Sequence, residues 1–382
     1  MFQRRAGGPL RVAVDATPLL GQRTGIGVAV DGYLRGLAAR ADVVTAAYGL
    51  TGRGWRQLRG QVPPGIPVTA RPAPAAALLR AWTRGDHPGG RWWTGPADVV
   101  HGTNFVVPPQ RGAGRMVSVW DMTAVRYPEL CTPTSRLYPG LVARAVGRGA
   151  WVHTGAAAVA DEICEHFGLD RERVRVVAPP VTAPAGPGRE DAPTRQGGER
   201  PYILGLGRTE PRKDFPVLIQ AFDRLAARHA DLELRIAGPP GWAEPEVAAA
   251  VAQAVHRDRI RRDGWVEDAG ALLAGAALFA YPSRYEGFGL PPLEAMAAGV
   301  PVVATLAGAL PEVLGGAAEL VPVGSAEALA AAMEAVLDDD DRRAQLVRAG
   351  RERAGRFTVE RAAEGLVAAY REVAADRPGS TS

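Results

Sequence analysis

YILGLGRTEPRKDFPVLIQAFDRLAARH, Tyr202 to His229, reads as a strand, a loop and a helix. The run YILGLG is short and apolar without alternation, the pattern of a strand covered on both faces of a parallel sheet. PVLIQAFDRLAARH then sets Leu218, Phe222 and Leu225 on one helical face. The intervening RTEPRKD holds Lys213, the single lysine of the chain; the other 44 of its 45 basic residues are arginine. A chain that uses arginine wherever either cation serves has kept one ammonium on a loop between strand and helix.

The same unit recurs outward in both directions. LELRIAG, ALFAYPS, PVVAT and ELVPV follow as short strands separated by helical segments. Upstream, LRVAVDATPL ends a strand near Asp15, the glycine-punctuated loop GQRTGIG follows, and VAVDGYLRGLAA is helical. ADVVHGTNF, RMVSVWD, AWVHTG and VRVVAPPV supply further strands, with ADEICEHFGL as a helix before the last. All periodicity stops across APAGPGREDAPTRQGGER, residues 183–200, which reads as a linker. The expected fold class is α/β: two doubly wound Rossmann-like domains, 1–182 and 201–355, with ligand at the carboxyl ends of the strands. Residues 356–382 read as a C-terminal helix that packs back on the N-terminal domain, plus a tail.

At 382 residues and 47% hydrophobic the chain has material for two cores. A net charge of +4 does not call for a nucleic-acid partner. The first hundred residues, however, carry thirteen arginines against five aspartates and no glutamate. Two cysteines without metal-ligand spacing, Cys131 and Cys164, fit a reduced, cytoplasmic setting. The N-terminus has no apolar signal core, and no run of 18 apolar residues occurs, so neither secretion nor a membrane span is expected.

YPSRYEGFGLPPLEAMAAGVPVVAT, 281–305, carries the chemistry. Glu286 and Glu294 flank Gly287, Phe288 and Gly289, and a helix opens near Leu290 or Pro291. Glycines before a helix let backbone approach a ligand, and free amides at the dipole's positive end seat a phosphate. Carboxylates on either side suit hydroxyls flanking that phosphate, which is the shape of a nucleotide sugar. A loop carboxylate and a solvated helix glutamate are the plain alternative.

The segment resembles the E-x7-E signature of family 4 of the retaining glycosyltransferases, whose GT-B architecture sets two Rossmann-like domains about a central cleft. DATPL, TGIG, HGTNF, RYPE, GLGRTEPRKDFPVLIQAF, GWV and FTVERAA fall in that family's order as well. The resemblance implies hexosyl transfer, mannose-like or related, from a nucleotide diphosphate sugar to an acceptor hydroxyl without a metal or other cofactor. It makes Arg208 and Lys213 the diphosphate-binding pair, Glu286 the carboxylate on the transferred sugar, and the amides of Phe288 and Gly289 the phosphate seat. Glu294 would grip the ribose, backbone at Val266 would meet the base, and Gly25 and Gly27 would line the opposite side. Arg212 reads as surface charge. A nucleotide-sugar epimerase or hydrolase of the same fold, or a non-catalytic partner protein, are the other readings.

The chain departs from that family where WDMTAVRYPE puts Trp120, rather than histidine, before Asp121. His101 of HGTNF is then a candidate polar group on the acceptor side, or a structural histidine. Asp121 orients an acceptor hydroxyl or caps the following turn, and Thr154 is expected to cap the helix after it. From Arg53 to Trp93, arginines alternate with Trp55, Trp82, Trp92 and Trp93. That favours an anionic membrane surface presenting a lipid-linked acceptor, with loop packing or a groove for a glycan or small-molecule acceptor as alternatives.

Overall fold

The computed structural model describes residues 8–22, 25–181 and 200–376. All of the expected linker except Arg200 lies outside them, as do Arg4, Arg5, Arg23 and the tail RPGSTS. The chain divides into two compact units, one running to Pro180 and resuming at Phe357, the other spanning Val181–Arg356.

The first unit is built on β1 (Leu10–Asp15), β2 (Val43–Tyr48), β3 (Val68–Thr69), β4 (Val99–Gly102), β5 (Gly114–Ser118), β6 (Trp151–Thr154) and β7 (Val174–Val176). They pair in the order β3-β2-β1-β4-β5-β6-β7, every neighbour parallel. The helix Val359–Ala375 packs against the helix Gly25–Ala38 and against β4 and β5. The second unit uses β8 (Tyr202–Leu206), β9 (Glu233–Ala237), β10 (Ile260–Gly264), β11 (Leu278–Tyr281), β12 (Val302–Thr305) and β13 (Glu319–Val321). Their order is β10-β9-β8-β11-β12-β13, again all parallel.

In each sheet the order reverses once, between β1 and β4 and between β8 and β11. Loops leaving the carboxyl ends of those two strands run to opposite faces, so a crevice opens between them where ligands bind in such sheets. The strands are apolar throughout because helices cover both faces: β11 and β12 are buried at every position. On the helix Phe215–Ala226, Leu218, Phe222 and Leu225 are wholly buried, with Phe215 and Ile219 beside them. Each such side chain contributes about 1.5–3 kcal/mol.

Three strands were not legible in the periodicity. β3 and β10 are both sheet edges: β3 has only two residues, and β10 reads IRRDG, whose charges on an exposed rim guard against further pairing. β2, VVTAAY, carries alanines and a half-exposed face instead of a bulky apolar run.

Candidate functional site

The switch point of the second sheet gathers the chemistry. The loop after β8 carries Arg208, Glu210, Arg212, Lys213 and Asp214, and the loop after the adjacent β11 carries Ser283, Arg284 and Glu286. The first of these loops can lie against the turn after β9 because Gly238 has no side chain: its φ is +139° and a Cβ there would stand 2.1 Å from the Gly207 oxygen.

Lys213 is buried, and its Nζ donates to Glu286 Oε1 at 2.7 Å and to the Tyr281 hydroxyl at 2.5 Å. Arg212 Nη1 reaches the same Oε1 at 2.9 Å, while its Nε donates to Glu210 at 3.0 Å. The Ser283 hydroxyl makes a third donor to Oε1, at 2.7 Å. Burial opposes ionisation of Glu286, but Arg212 first and Lys213 second outweigh it and hold the carboxyl at about 2. The lysine carries the opposite strain. Burial and the nearby Arg212 pull its pKa below the usual range despite Glu286. The result is a firmly ionised, buried carboxylate held by buried Lys213 and by partly exposed Arg212, which Glu210 holds in turn.

Glu294 is the contrasting carboxylate. It lies one turn into the helix Leu290–Ala297, half-buried, and desolvation alone raises it to about 7. Gly289 starts that helix at φ +99°, which favours glycine, and a Cβ there would stand 2.5 Å from Leu310 Cδ2 and force that side chain to shift. Pro291 and Pro292 have no N–H, so the first-turn amides concentrate at Gly289 and Leu290. Gly287 and Phe288 are buried beside them. Val266 is half-buried just past β10, next to an exposed Trp265.

Arg208 stands apart from this group. Its Nη1 donates to the Pro240 carbonyl at 3.0 Å and its Nε lies 3.9 Å from Glu210. Arg212, read from the sequence as surface charge, is the arginine that contacts Glu286. Tyr281 and Ser283 were also missed, although both lie inside the quoted segment. The signal for Arg212 was its adjacency to Lys213 on a one-turn helix, Pro211–Lys213, which brings successive side chains round to one carboxylate.

In the first unit the acceptor-side candidates His101 and Trp120 are tied into the protein's own hydrogen bonds. Both are buried. Tyr33 O–H and His153 Nε2–H both donate to the Val177 carbonyl, at 2.8 and 3.0 Å. A carbonyl only accepts, so His153 Nδ1 is left to accept from Ser118 O–H at 2.8 Å. Ser118 in turn accepts from His101 Nε2–H at 2.8 Å, and His101 Nδ1 accepts from Tyr370 O–H at 2.7 Å. Burial, with His153 nearby, drives His101 well below its ordinary value, and burial leaves His153 at about 4. His101 is a neutral structural link, not a ligand group. Trp120 donates to the Thr103 carbonyl at 2.7 Å and stacks on Tyr33.

Asp121 accepts from the Thr123 amide at 2.8 Å, capping the turn that follows it. Thr154 does not cap: the helix Ala157–Phe167 starts at Ala156 without a side-chain cap, and Thr154 Oγ1 is buried unpaired. Gly25 and Gly27 lie in the first turn of the helix Gly25–Ala38 instead of in a loop. At this unit's own switch point, Asp15 is a buried carboxyl raised to about 6 by desolvation against its bonds from Thr17. Among the described residues one His–carboxylate group is close enough to hold a cation, His229, Glu334 and Asp338, and it includes none of these site residues.

Residues 189–353 match the family model described as Glycosyl transferases group 1. The chain is 36% identical over 173 residues to O-antigen chain mannosyltransferase B of Escherichia coli, covering 44% of this chain and 45% of that protein. It is 34% identical over 231 residues to MMP alpha-(1->4)-mannosyltransferase of Mycolicibacterium hassiacum, covering 58% of this chain and 54% of that protein. The chain thus spans about half the length of the curated relatives it matches. Among solved structures, sucrose-phosphate synthase from Thermosynechococcus elongatus superposes with a TM-score of 0.72 at 19% identity, covering 95% of this chain and 99% of that one. Anabaena HepE, crystallised with UDP and glucose, superposes with a TM-score of 0.69 at 18% identity, covering 94% and 98%. At such identity the likeness establishes the fold, two Rossmann-like domains of GT-B architecture.

Proposed function

We propose that this chain is a retaining hexosyltransferase that takes a nucleotide diphosphate sugar, mannose-like or related, as donor and a hydroxyl as acceptor. The observation that carries this reading is the pair of cations, buried Lys213 and partly exposed Arg212, on buried Glu286 beside a glycine-started helix N-terminus at a switch point. The mannosyltransferases among the relatives and the UDP bound to HepE support the same class.

In the proposed reaction the bond from the sugar's anomeric carbon to the β-phosphate oxygen breaks. The acceptor oxygen bonds that carbon on the same face, and its proton passes to the departing phosphate. Negative charge grows on the nucleoside diphosphate as the bond stretches. Lys213, Arg212 and the amides of Gly289 and Leu290 meet that charge where it develops, which is where electrostatic stabilisation lowers a barrier. Glu286 is kept ionised to hold the sugar, and Glu294 accepts from ribose hydroxyls. On this reading the compensating charge comes from side chains and backbone, with no resident cofactor. Thermal unfolding with a panel of UDP, GDP and their hexose conjugates tests the reading. A nucleotide at 100 times its dissociation constant stabilises by about 2.7 kcal/mol. A panel without any shift, together with no hexose release or transfer, would refute it.

An acceptor presented at an anionic membrane surface is the finer reading we favour. Arg53, Arg56, Arg59, Arg71, Arg80, Arg84 and Arg91 are all exposed, and none has a carboxylate partner among the described residues. The sole acid between residues 43 and 97, Asp86, is held by Arg144. The aromatic half of the expectation is narrower than it read: Trp82 and Trp93 are core, and Trp92, with Arg71 over its ring at 4.8 Å, is the exposed one. No helix among the described residues is long and apolar enough to cross a membrane. Each arginine near an anionic surface is worth about 1 kcal/mol. Flotation with anionic but not zwitterionic vesicles, lost at high salt, is the expected result; equal recovery with both would sink it.

A further inference from the structure

Asp214 stands where two ordinary explanations fail. Its φ is +49°, a left-handed conformation that glycine adopts without strain. It is also the residue preceding the helix Phe215–Ala226, where aspartate usually caps, yet its carboxylate makes no cap bond. Stability alone would be better served by glycine, or by an aspartate in cap geometry.

The carboxylate is instead committed across the switch point. Asp214, buried, accepts from Arg284 Nε at 2.8 Å and Nη2 at 3.4 Å. The Arg284 amide donates to the Arg212 carbonyl at 2.7 Å. The two loops therefore exchange charges in both directions: Arg212 and Lys213 reach over to Glu286, and Arg284 reaches back to Asp214. We propose that the Asp214–Arg284 pair is a positioning clasp that holds Lys213 against Glu286, ready for an anionic ligand. The ligand's diphosphate character rests on the function proposed above; the clasp itself does not.

The chain supplies its own reporter, because Lys213 is its only side-chain amine. Acetic anhydride labelling followed by mass spectrometry of the Lys213 peptide reads its accessibility without any donor, so the clasp and the transferase reading fail separately. Asp214→Gly keeps the left-handed backbone and removes the clasp. It should label at least about tenfold faster than wild type at equal pH. Asp214→Gly combined with Arg284→Ala leaves no buried carboxylate alone; it should unfold near the wild-type denaturant midpoint and label no faster than the single variant, the non-additivity expected of one shared interaction. Arg284→Lys, which keeps a cation, should restore part of the protection that Arg284→Ala loses. Wild-type labelling in both Asp214→Gly and the double variant would overturn the proposal, since Asp214 would then be only a turn residue.

Discussion

Replacing Lys213 by methionine removes one ammonium and keeps most of the stem's volume. Breaking a buried ion pair normally costs about 3–5 kcal/mol, because the remaining charge is stranded. Glu286 would not be stranded. Arg212 at 2.9 Å and the Ser283 hydroxyl at 2.7 Å still meet its Oε1, and Arg212 is the larger of the two charge effects on it. The lysine itself is held below its ordinary pKa, chiefly by burial. The unfolded chain therefore binds that proton more readily than the folded one, and the ammonium weighs against folding at neutral pH. The loss on Lys213→Met is expected to stay within about 1 kcal/mol, a shift of about 2–4 °C for a unit of this size.

Ligand binding should respond quite differently. A charge-assisted contact is worth roughly 1.5–3 kcal/mol, so nucleoside diphosphate affinity should fall about 10- to 150-fold. Arg212→Met gives the control, because it strips the dominant counter-charge from Glu286 and a partner from Glu210; it should lose about 2–4 kcal/mol of stability as well as affinity. Calorimetry with UDP and GDP beside denaturant unfolding reads both quantities. Lys213→Met that unfolds 3 kcal/mol more easily while binding nucleotide as before would refute the reasoning, and would make Lys213 a structural counter-ion.

Glu294, at about 7, takes up its proton more readily folded than unfolded. Its contribution to stability is present below about 4.5 and is lost as pH rises through 7, so Glu294→Gln should be about 3 kcal/mol more stable than wild type at pH 8 and equal to it at pH 4, by denaturant unfolding. The same variant should bind nucleotide more weakly at pH 8. For the buried relay, proton–nitrogen correlation spectra of the six histidines should show His101 and His153 as Nε2–H tautomers that do not titrate between pH 5 and 8. Because His153 is depressed to about 4, the stability it confers is lost as pH falls from about 6.5 towards 4. Gly289→Ala should cost about 1–3 kcal/mol, from the positive φ and the Leu310 contact, and should weaken nucleotide binding with it.

The doubly wound α/β class was legible because a parallel strand covered on both faces advertises itself as an unbroken apolar run, and ten such runs punctuated by helical periods leave few architectures. Edges were not legible, since β3 and β10 need no second apolar face. Histidine function was not legible either. His101 and His153 sit in strands where a buried polar residue reads as either ligand or scaffold, and the decision lay with Tyr370, 269 residues further on, and with the carbonyl of Val177. A contact at that separation has no local signature.

The site shows the same division more sharply. Lys213 could be singled out because the chain's arginine bias makes any lysine an exception, and Glu286 because glycines and a helix start surround it. Arg212 had only its adjacency to Lys213, and Asp214 and Arg284 carry no such mark, being common charges in a chain rich in them. What distinguishes them is pairing across two loops that leave adjacent strands, and that pairing exists only once β8 and β11 lie side by side. The residues that face a ligand must suit its chemistry, so their type betrays them. Those that position these residues need only suit one another, which is why Asp214 keeps a left-handed backbone and forgoes a helix cap to meet one arginine.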